Sequence, residues 1–271
     1  MLAALLACVP AALFAQPAVS GPPAAARPAI LNEIGFDQRL GETIPLDIAL
    51  RDEAGRAVRL GDFFGKRPVV LTLVYYECPM LCTLTLNSLS SALATLAFDI
   101  GKEFDVVTVS FDAREKAPLA AGKKKAYLSR YGRPGAEAGW HFLTGDRDDL
   151  ARLTSAVGFR YQWDEEIRQF AHPSGLVVLT PDGRIARYLY GIEFAPKDLR
   201  LALVEASERR IGTPVDQAML FCYQYNPATG RYGLLTMRLV RGGAILTVLA
   251  LGGLIFTMRR KEQALHRETA R

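Results

Sequence analysis

The residues of this chain that could do chemistry are few, and two stand close together. Cys78 and Cys82 lie in "VVLTLVYYECPMLCTLTLNSL", with three residues between them. Thiols at that spacing can clamp a soft metal, close a disulfide, or act as one nucleophile with a resolving neighbour. They can also be two small apolar side chains in a core. The histidines are His141, His172 and His266. Two thiolates alone suit Cu(I), and a closed site needs a third ligand.

The elements around the pair decide among these options. "PVVLTLVYY" is β-branched and apolar throughout, the pattern of a central strand buried on both faces. "PMLCTLTLNSLSSALATLAF" carries Leu81, Leu84, Leu89, Leu93 and Leu96 at helical spacing. Proline is favoured at the first helical position, so Pro79 predicts Cys78 near the helix N-cap. Cys82 then follows one turn later on roughly the same face. The helix N-terminus favours a thiolate there. Cα atoms one turn apart are about 6 Å from each other, within disulfide reach. The pair therefore reads as two converging sulfurs, able to hold a metal or to join.

Among the histidines, His172 is the candidate third ligand. It lies in "FAHPSGLVVLT", where Pro173 biases it toward an extended backbone just before a buried strand. Loops at strand ends are where such sheets carry function. His141 opens the strand "WHFLTGD" and reads as a satisfied edge histidine. His266 falls in a basic tail beyond an apolar segment and is excluded.

The rest of the chain alternates strands and helices. "LGETIPLDIALRDEAGRAVRLGDFFGKR" reads as short strands about a turn, "FDVVTVSFD" as a second central strand, and "APLAAGKKKAYLSRYG" as an amphipathic helix ending at Gly132. "WHFLTGD" is a short strand. "DRDDLARLTSAVGF" is a helix opened by acids and closed by Gly158. "GLVVLTPDGRIARYLYG" is a hairpin about "PDG", and "APKDLRLALVEASERR" is a last helix. This order predicts an α/β fold, a central mixed sheet flanked by helices.

Half of the 271 residues are hydrophobic and the net charge is +5, with basic residues scattered. No aromatic-basic interleaving points to nucleic acid. The apolar run "MLAALLACVPAALFAQ", followed by a Pro/Ala-rich stretch, is expected to be a secretory signal that takes Cys8 with it. "GGAILTVLALGGLIFTM" would span roughly 26 Å as a helix, against a hydrocarbon core of about 30 Å. "RRK" follows it, which puts that end in the cytoplasm. The expected organisation is a signal and linker over 1–28, the folded domain over 29–212 and a juxtamembrane connector over 213–238. One transmembrane helix over 239–258 and a basic cytoplasmic tail over 259–271 complete it. The folded domain would lie outside the cytoplasm.

Taken in order, "VVLTLVYYECPMLCTLTLNSL", "VVTVSFDAREKAP", "HFLTGDRDDLARLTSAVGFRY" and "FAHPSGLVVLTPDGRIARYLYG" resemble the Sco/SenC family. Its members are thioredoxin-like, membrane-anchored copper proteins of cytochrome c oxidase assembly. The resemblance covers roughly residues 44–209. It implies a thioredoxin-like fold and copper, as Cu(I), Cu(II) or both, on Cys78, Cys82 and His172. It also implies a copper acceptor, foremost the dinuclear centre of oxidase subunit II, and a thiol reductant that keeps the pair open. The domain is then expected in the periplasm, anchored in the cytoplasmic membrane. Three features depart from the family pattern: Thr83 where proline often follows the second cysteine, Ala171 where aspartate often precedes the histidine, and a C-terminal rather than N-terminal anchor. Cys222 is a candidate transient redox or metal contact. The competing reading is a thiol-disulfide oxidoreductase working through Cys78 and Cys82, although thioredoxin sites have two intervening residues, not three. A peroxidase is disfavoured because Tyr75, Tyr76 and Glu77 precede Cys78 where that chemistry needs a threonine.

Overall fold

The computed structural model describes residues 33–211, together with 242, 243, 245–249 and 251. The first of these ranges belongs to one compact unit ending at Ile211. Its frame is a mixed five-stranded sheet. In spatial order the strands are β11 (Ile185–Tyr190), β10 (Gly175–Leu179), β4 (Val69–Val74), β5 (Asp105–Ser110) and β6 (Trp140–Leu143). β4, β5 and β6 run parallel, and β10 is antiparallel to both β4 and β11. Every residue of β4, β5 and β10 is buried. That is why their sequences are apolar without alternation: both faces of these strands are covered. The polar exceptions are all paired: Thr72 and Thr108 hydroxyls are 2.9 Å apart, the Trp140 indole donates to Thr108 Oγ1 at 3.1 Å, Asp105 accepts from Arg67 and Ser110 donates to Glu115.

Four helices cover this sheet: α1 (Leu81–Thr95), α2 (Ala117–Tyr131), α3 (Arg147–Ala156) and α4 (Pro196–Ser207). α1 packs between α2 and α4, while α3 packs against the short strand β7 (Phe159–Arg160). α2 ends where Gly132 takes φ +72, and the hairpin turns where Gly183 takes φ +80; only glycine adopts such angles without cost. The turn expected at "RDEAGR" joins β2 (Ala49–Arg51) to β3 (Ala57–Arg59), and β1 (Gly35–Phe36) pairs with β7.

Two expectations need correction. α1 begins at Leu81 with Met80 as its cap, so Pro79 precedes the helix and Cys78 lies two residues before the cap. The chain first closes a turn, in which the Cys78 amide donates to Tyr75 O at 3.2 Å. Leu84 is exposed, because the buried stripe of α1 runs through Cys82, Leu86, Leu89 and Leu93, and Leu84 sits on the opposite side of that stripe. His172 lies in a loop just before β10, as expected, and the stretch leading to it is a hairpin of β8 (Gln162–Asp164) and β9 (Gln169–Ala171).

The expected signal and linker, the juxtamembrane connector with Cys222, the tail with His266, and most of the expected transmembrane segment lie outside the described residues. The described positions between 242 and 251 are helical. Among the described residues no helix is long and apolar enough to cross a membrane.

Candidate metal centre

The site forms where three elements end together: the C-terminal end of β4, the first turn of α1, and the end of β9. Cys78 leaves the buried strand through the Tyr75–Cys78 turn. Its sulfur accepts from the Cys82 amide at 3.3 Å, satisfying one of the free N–H groups of the first helical turn. The helix N-terminus thus stabilises a thiolate on Cys78 from outside the cap. Cys82 Sγ lies 3.3 Å from His172 Nε2, although the two residues are 90 positions apart.

The imidazole is held in one orientation. Its Nδ1 is 2.9 Å from the Pro173 carbonyl oxygen. A carbonyl can only accept, so Nδ1 carries the proton and Nε2 presents its lone pair to the sulfurs. Aromatic walls fix the ring plane: Phe111 at 5.3 Å, Tyr75 at 5.8 Å and Phe159 at 6.2 Å between centroids. A further tie joins α1 to the loop after His172. Thr85 Oγ1 and Ser174 Oγ are 2.7 Å apart, and they also reach the Leu81 and Gly191 carbonyls.

The two thiols differ. Cys78 is held well below the ordinary thiol range, first by a hydrogen bond from the Cys82 thiol and also by the Cys82 and Met80 amides, against the cost of burial. Cys82 is pushed up, first by burial and then by its bond to Cys78. Burial, followed by a hydrogen bond to Cys78, also raises the Tyr75 phenol. The two thiols are therefore unequal, with the thiolate favoured on Cys78 and the thiol on Cys82.

One donor atom from each of Cys78, Cys82 and His172 lies within 4.8 Å of the others. Donors about 2.0–2.3 Å from a shared ion need to contract only slightly from there. Two thiolates and an imidazole are a soft set that suits Cu(I), with nitrogen extending it toward Cu(II). All three residues are buried, at 6%, 2% and 7% exposure, whereas Met80, between the cysteines, is 67% exposed. His141 is elsewhere, on β6 with its ring 4.4 Å from Phe63, and burial lowers its pKa. Sequence reasoning missed the supporting residues Tyr75, Thr85, Ser174, Arg114 and Glu115. Of these, Arg114 and Glu115 lie in "VSFDAREKAP", whose two acids after a buried strand were a usable signal.

A sheet of this topology with this site defines a thioredoxin-like protein bearing a thiol–imidazole group that could hold a metal ion. The SCO1/SenC family model matches residues 37–205, more than half of the chain, and the chain belongs to that family. Among solved structures, a protein from Aquifex aeolicus VF5, provisionally assigned to electron transfer, is 30% identical with a TM-score of 0.56, covering 63% of this chain and 95% of its own. Copper-bound ScoI from Arabidopsis thaliana is 16% identical with a TM-score of 0.50, covering 63% and 99%. BsSco, a member of the Sco family of cytochrome c oxidase assembly proteins in which a disulfide switch was identified, is 18% identical with a TM-score of 0.47, covering 65% and 97%. No curated protein sequence matches the chain.

Proposed function

We propose that this protein is a copper metallochaperone. It holds copper on Cys78, Cys82 and His172 and passes it by ligand exchange to a respiratory oxidase, at the dinuclear copper centre of cytochrome c oxidase subunit II. The observation that carries this reading is the convergence of Cys78 Sγ, Cys82 Sγ and His172 Nε2 within 4.8 Å. A dithiol switch has no need of the histidine. Family membership supports copper as the cargo, since ScoI of Arabidopsis carries it, and BsSco supports the oxidase assembly role.

Loading deprotonates Cys82 and releases its proton to solvent. Delivery replaces these donors one by one with those of the acceptor. Joining Cys78 to Cys82 gives two electrons to an external disulfide oxidant, which leaves as a dithiol; both thiolates are lost and the cargo is released, so a thiol reductant must return two electrons to reload the site. We place the segment 239–258 in the cytoplasmic membrane and the folded domain in the periplasm. The apolar run and its basic flank support that placement, and protease protection of spheroplasts and inverted vesicles tests it.

The decisive experiment is copper titration of the reduced protein beside His172→Ala. One copper per chain, with affinity that drops at least about tenfold without the imidazole, is expected. Equal binding by His172→Ala would remove His172 from the ligand set. The lowered Cys78 thiol favours a second reading, thiol-disulfide exchange on the acceptor. There Cys78 attacks a disulfide sulfur and Cys82 displaces the mixed disulfide. The acceptor leaves as a dithiol and the pair is oxidised. Disulfide reduction without copper binding would select it.

A further inference from the structure

The turn after β5, from Ser110 to Lys116, touches both halves of the site through two adjacent side chains. Glu115 is 5% exposed. Its Oε2 accepts from the Tyr76 amide at 2.7 Å and from the Ser110 hydroxyl at 2.5 Å, and its Oε1 accepts from the Glu77 amide at 2.7 Å. Those two amides lead directly into Cys78. One buried carboxylate thus pins the backbone that delivers the thiolate, through charge-assisted bonds to groups that β4 no longer satisfies.

Arg114 turns the other way. Asp112 fixes its guanidinium, with Nε at 2.8 Å from Oδ1 and Nη2 at 2.7 Å from Oδ2. The guanidinium lies over Trp163 of β8 at 4.7 Å and over Phe170 of β9 at 5.3 Å. Phe170 is two residues before His172 and packs edge-on against Tyr75 and Phe111, two of the walls of the imidazole. A three-residue pairing is a weak hairpin alone, and a planar cation stacked across both of its strands holds it together.

We propose that Glu115 and Arg114 are positioning residues that set the two halves of the ligand group separately. Glu115 places the cysteine turn, and Arg114 places the hairpin that presents His172. Neighbours in sequence thereby hold together ligands 90 residues apart. The part assigned to Arg114 rests on the copper reading above; the part assigned to Glu115 does not.

The test uses Glu115→Gln and Arg114→Met, with Glu115→Asp and Arg114→Lys as milder partners, each checked for native circular dichroism. The first readout needs no copper: the equilibrium constant for Cys78–Cys82 disulfide formation against dithiothreitol. Glu115→Gln is expected to change it about tenfold while Arg114→Met leaves it unchanged. The second readout is the electron paramagnetic resonance spectrum and affinity of the Cu(II)-loaded protein. Arg114→Met is expected to weaken the nitrogen hyperfine coupling and lower Cu(II) affinity about tenfold. Glu115→Gln is expected to keep the nitrogen signal. Lysine at 114 should restore less than half of the loss, because it lacks the stacking plane. Both variants moving both readouts alike, or neither moving either, would overturn the separate roles. Wild-type protein that takes up no copper would defeat the copper reading and, with it, the role of Arg114. The disulfide readout would still decide the role of Glu115.

Discussion

His172 Nδ1 sits 2.9 Å from the carbonyl oxygen of Pro173, the next residue in the chain. The imidazole is thus oriented by its own backbone, and the lone pair on Nε2 is left facing Cys82 Sγ at 3.3 Å. The reduced, metal-free protein should therefore hold His172 as the Nδ1–H tautomer. Long-range proton–nitrogen correlation spectra of histidine-labelled protein distinguish the tautomers directly. A dominant Nε2–H form would mean that the ring is not presented as described.

The unequal thiols make a pH prediction. An unfolded thiol titrates near about 8.5. Cys78 is lowered in the fold, first by the Cys82 hydrogen bond. Its contribution to stability is therefore full above the unfolded value and is lost as pH falls through the folded one. Cys82 is raised, first by burial, so its contribution is full below the unfolded value and is lost as pH rises through its folded one. At neutral pH the alkylation rate of Cys78 should be slow, because the sulfur is buried, but nearly flat from about pH 6 to 8, since the thiolate is already formed. Cys82 should stay unmodified over that window. A Cys78 rate rising tenfold per pH unit would show an ordinary thiol.

The tie between α1 and the His172 loop can be measured by coupling. Ser174→Ala and Thr85→Val each remove one hydroxyl of the 2.7 Å contact. Each should cost about 0.5–1.5 kcal/mol in urea unfolding. The double variant should fall short of the sum by at least about 0.5 kcal/mol, because the residues share one interaction. Strict additivity would show that the contact does not join the two segments.

Much of the frame was legible from residue patterns, and the reason is burial. β4, β5 and β10 are covered on both faces, so their sequences are dominated by apolar β-branched residues without alternation and admit few other readings. The thiol pair was legible because its chemistry is local, one helical turn with a strand behind it. His172 as partner was not, since only the folded sheet brings positions 82 and 172 together; the residues alone left it a candidate, and family resemblance raised it. The β8–β9 hairpin escaped because three-residue strands carry too little alternation to register. Arg114 could not be read as its clamp while the hairpin itself was unseen. Leu84 misled because a leucine at helical spacing was counted without asking which side of Cys82 the core lay on.

Tyr76 predicts a cost without a change in chemistry. Its ring is buried, and its hydroxyl lies 2.8 Å from Leu143 O, at the end of β6, and 3.1 Å from Thr108 O, within β5. Burial, above all, raises its phenol far from the working range, so it stays a neutral donor. Tyr76→Phe should lower unfolding free energy by about 1–2 kcal/mol. Copper stoichiometry should be unchanged, because the turn into Cys78 is pinned through the Tyr76 amide rather than its side chain. Loss of copper binding at full stability would reverse that assignment.

Gly158, at the exit of α3, supports the most severe prediction. Its φ is +64, and a Cβ placed there would lie 1.9 Å from the Asp37 carbonyl oxygen. The same contact carries the Asp37 amide to Gly158 O at 2.8 Å, which seats the segment around β1 beside β7. Alanine therefore meets two penalties, a left-handed backbone and a backbone clash that no rotamer relieves. Gly158→Ala should cost well over about 1 kcal/mol, visible as a drop in the midpoint of thermal unfolding. Phe159 follows directly and forms one wall of the His172 ring. The variant should therefore also loosen the imidazole, with copper affinity falling in step with the thermal midpoint. A stable Gly158→Ala protein with wild-type copper affinity would show that the β1 segment can move aside without disturbing the site.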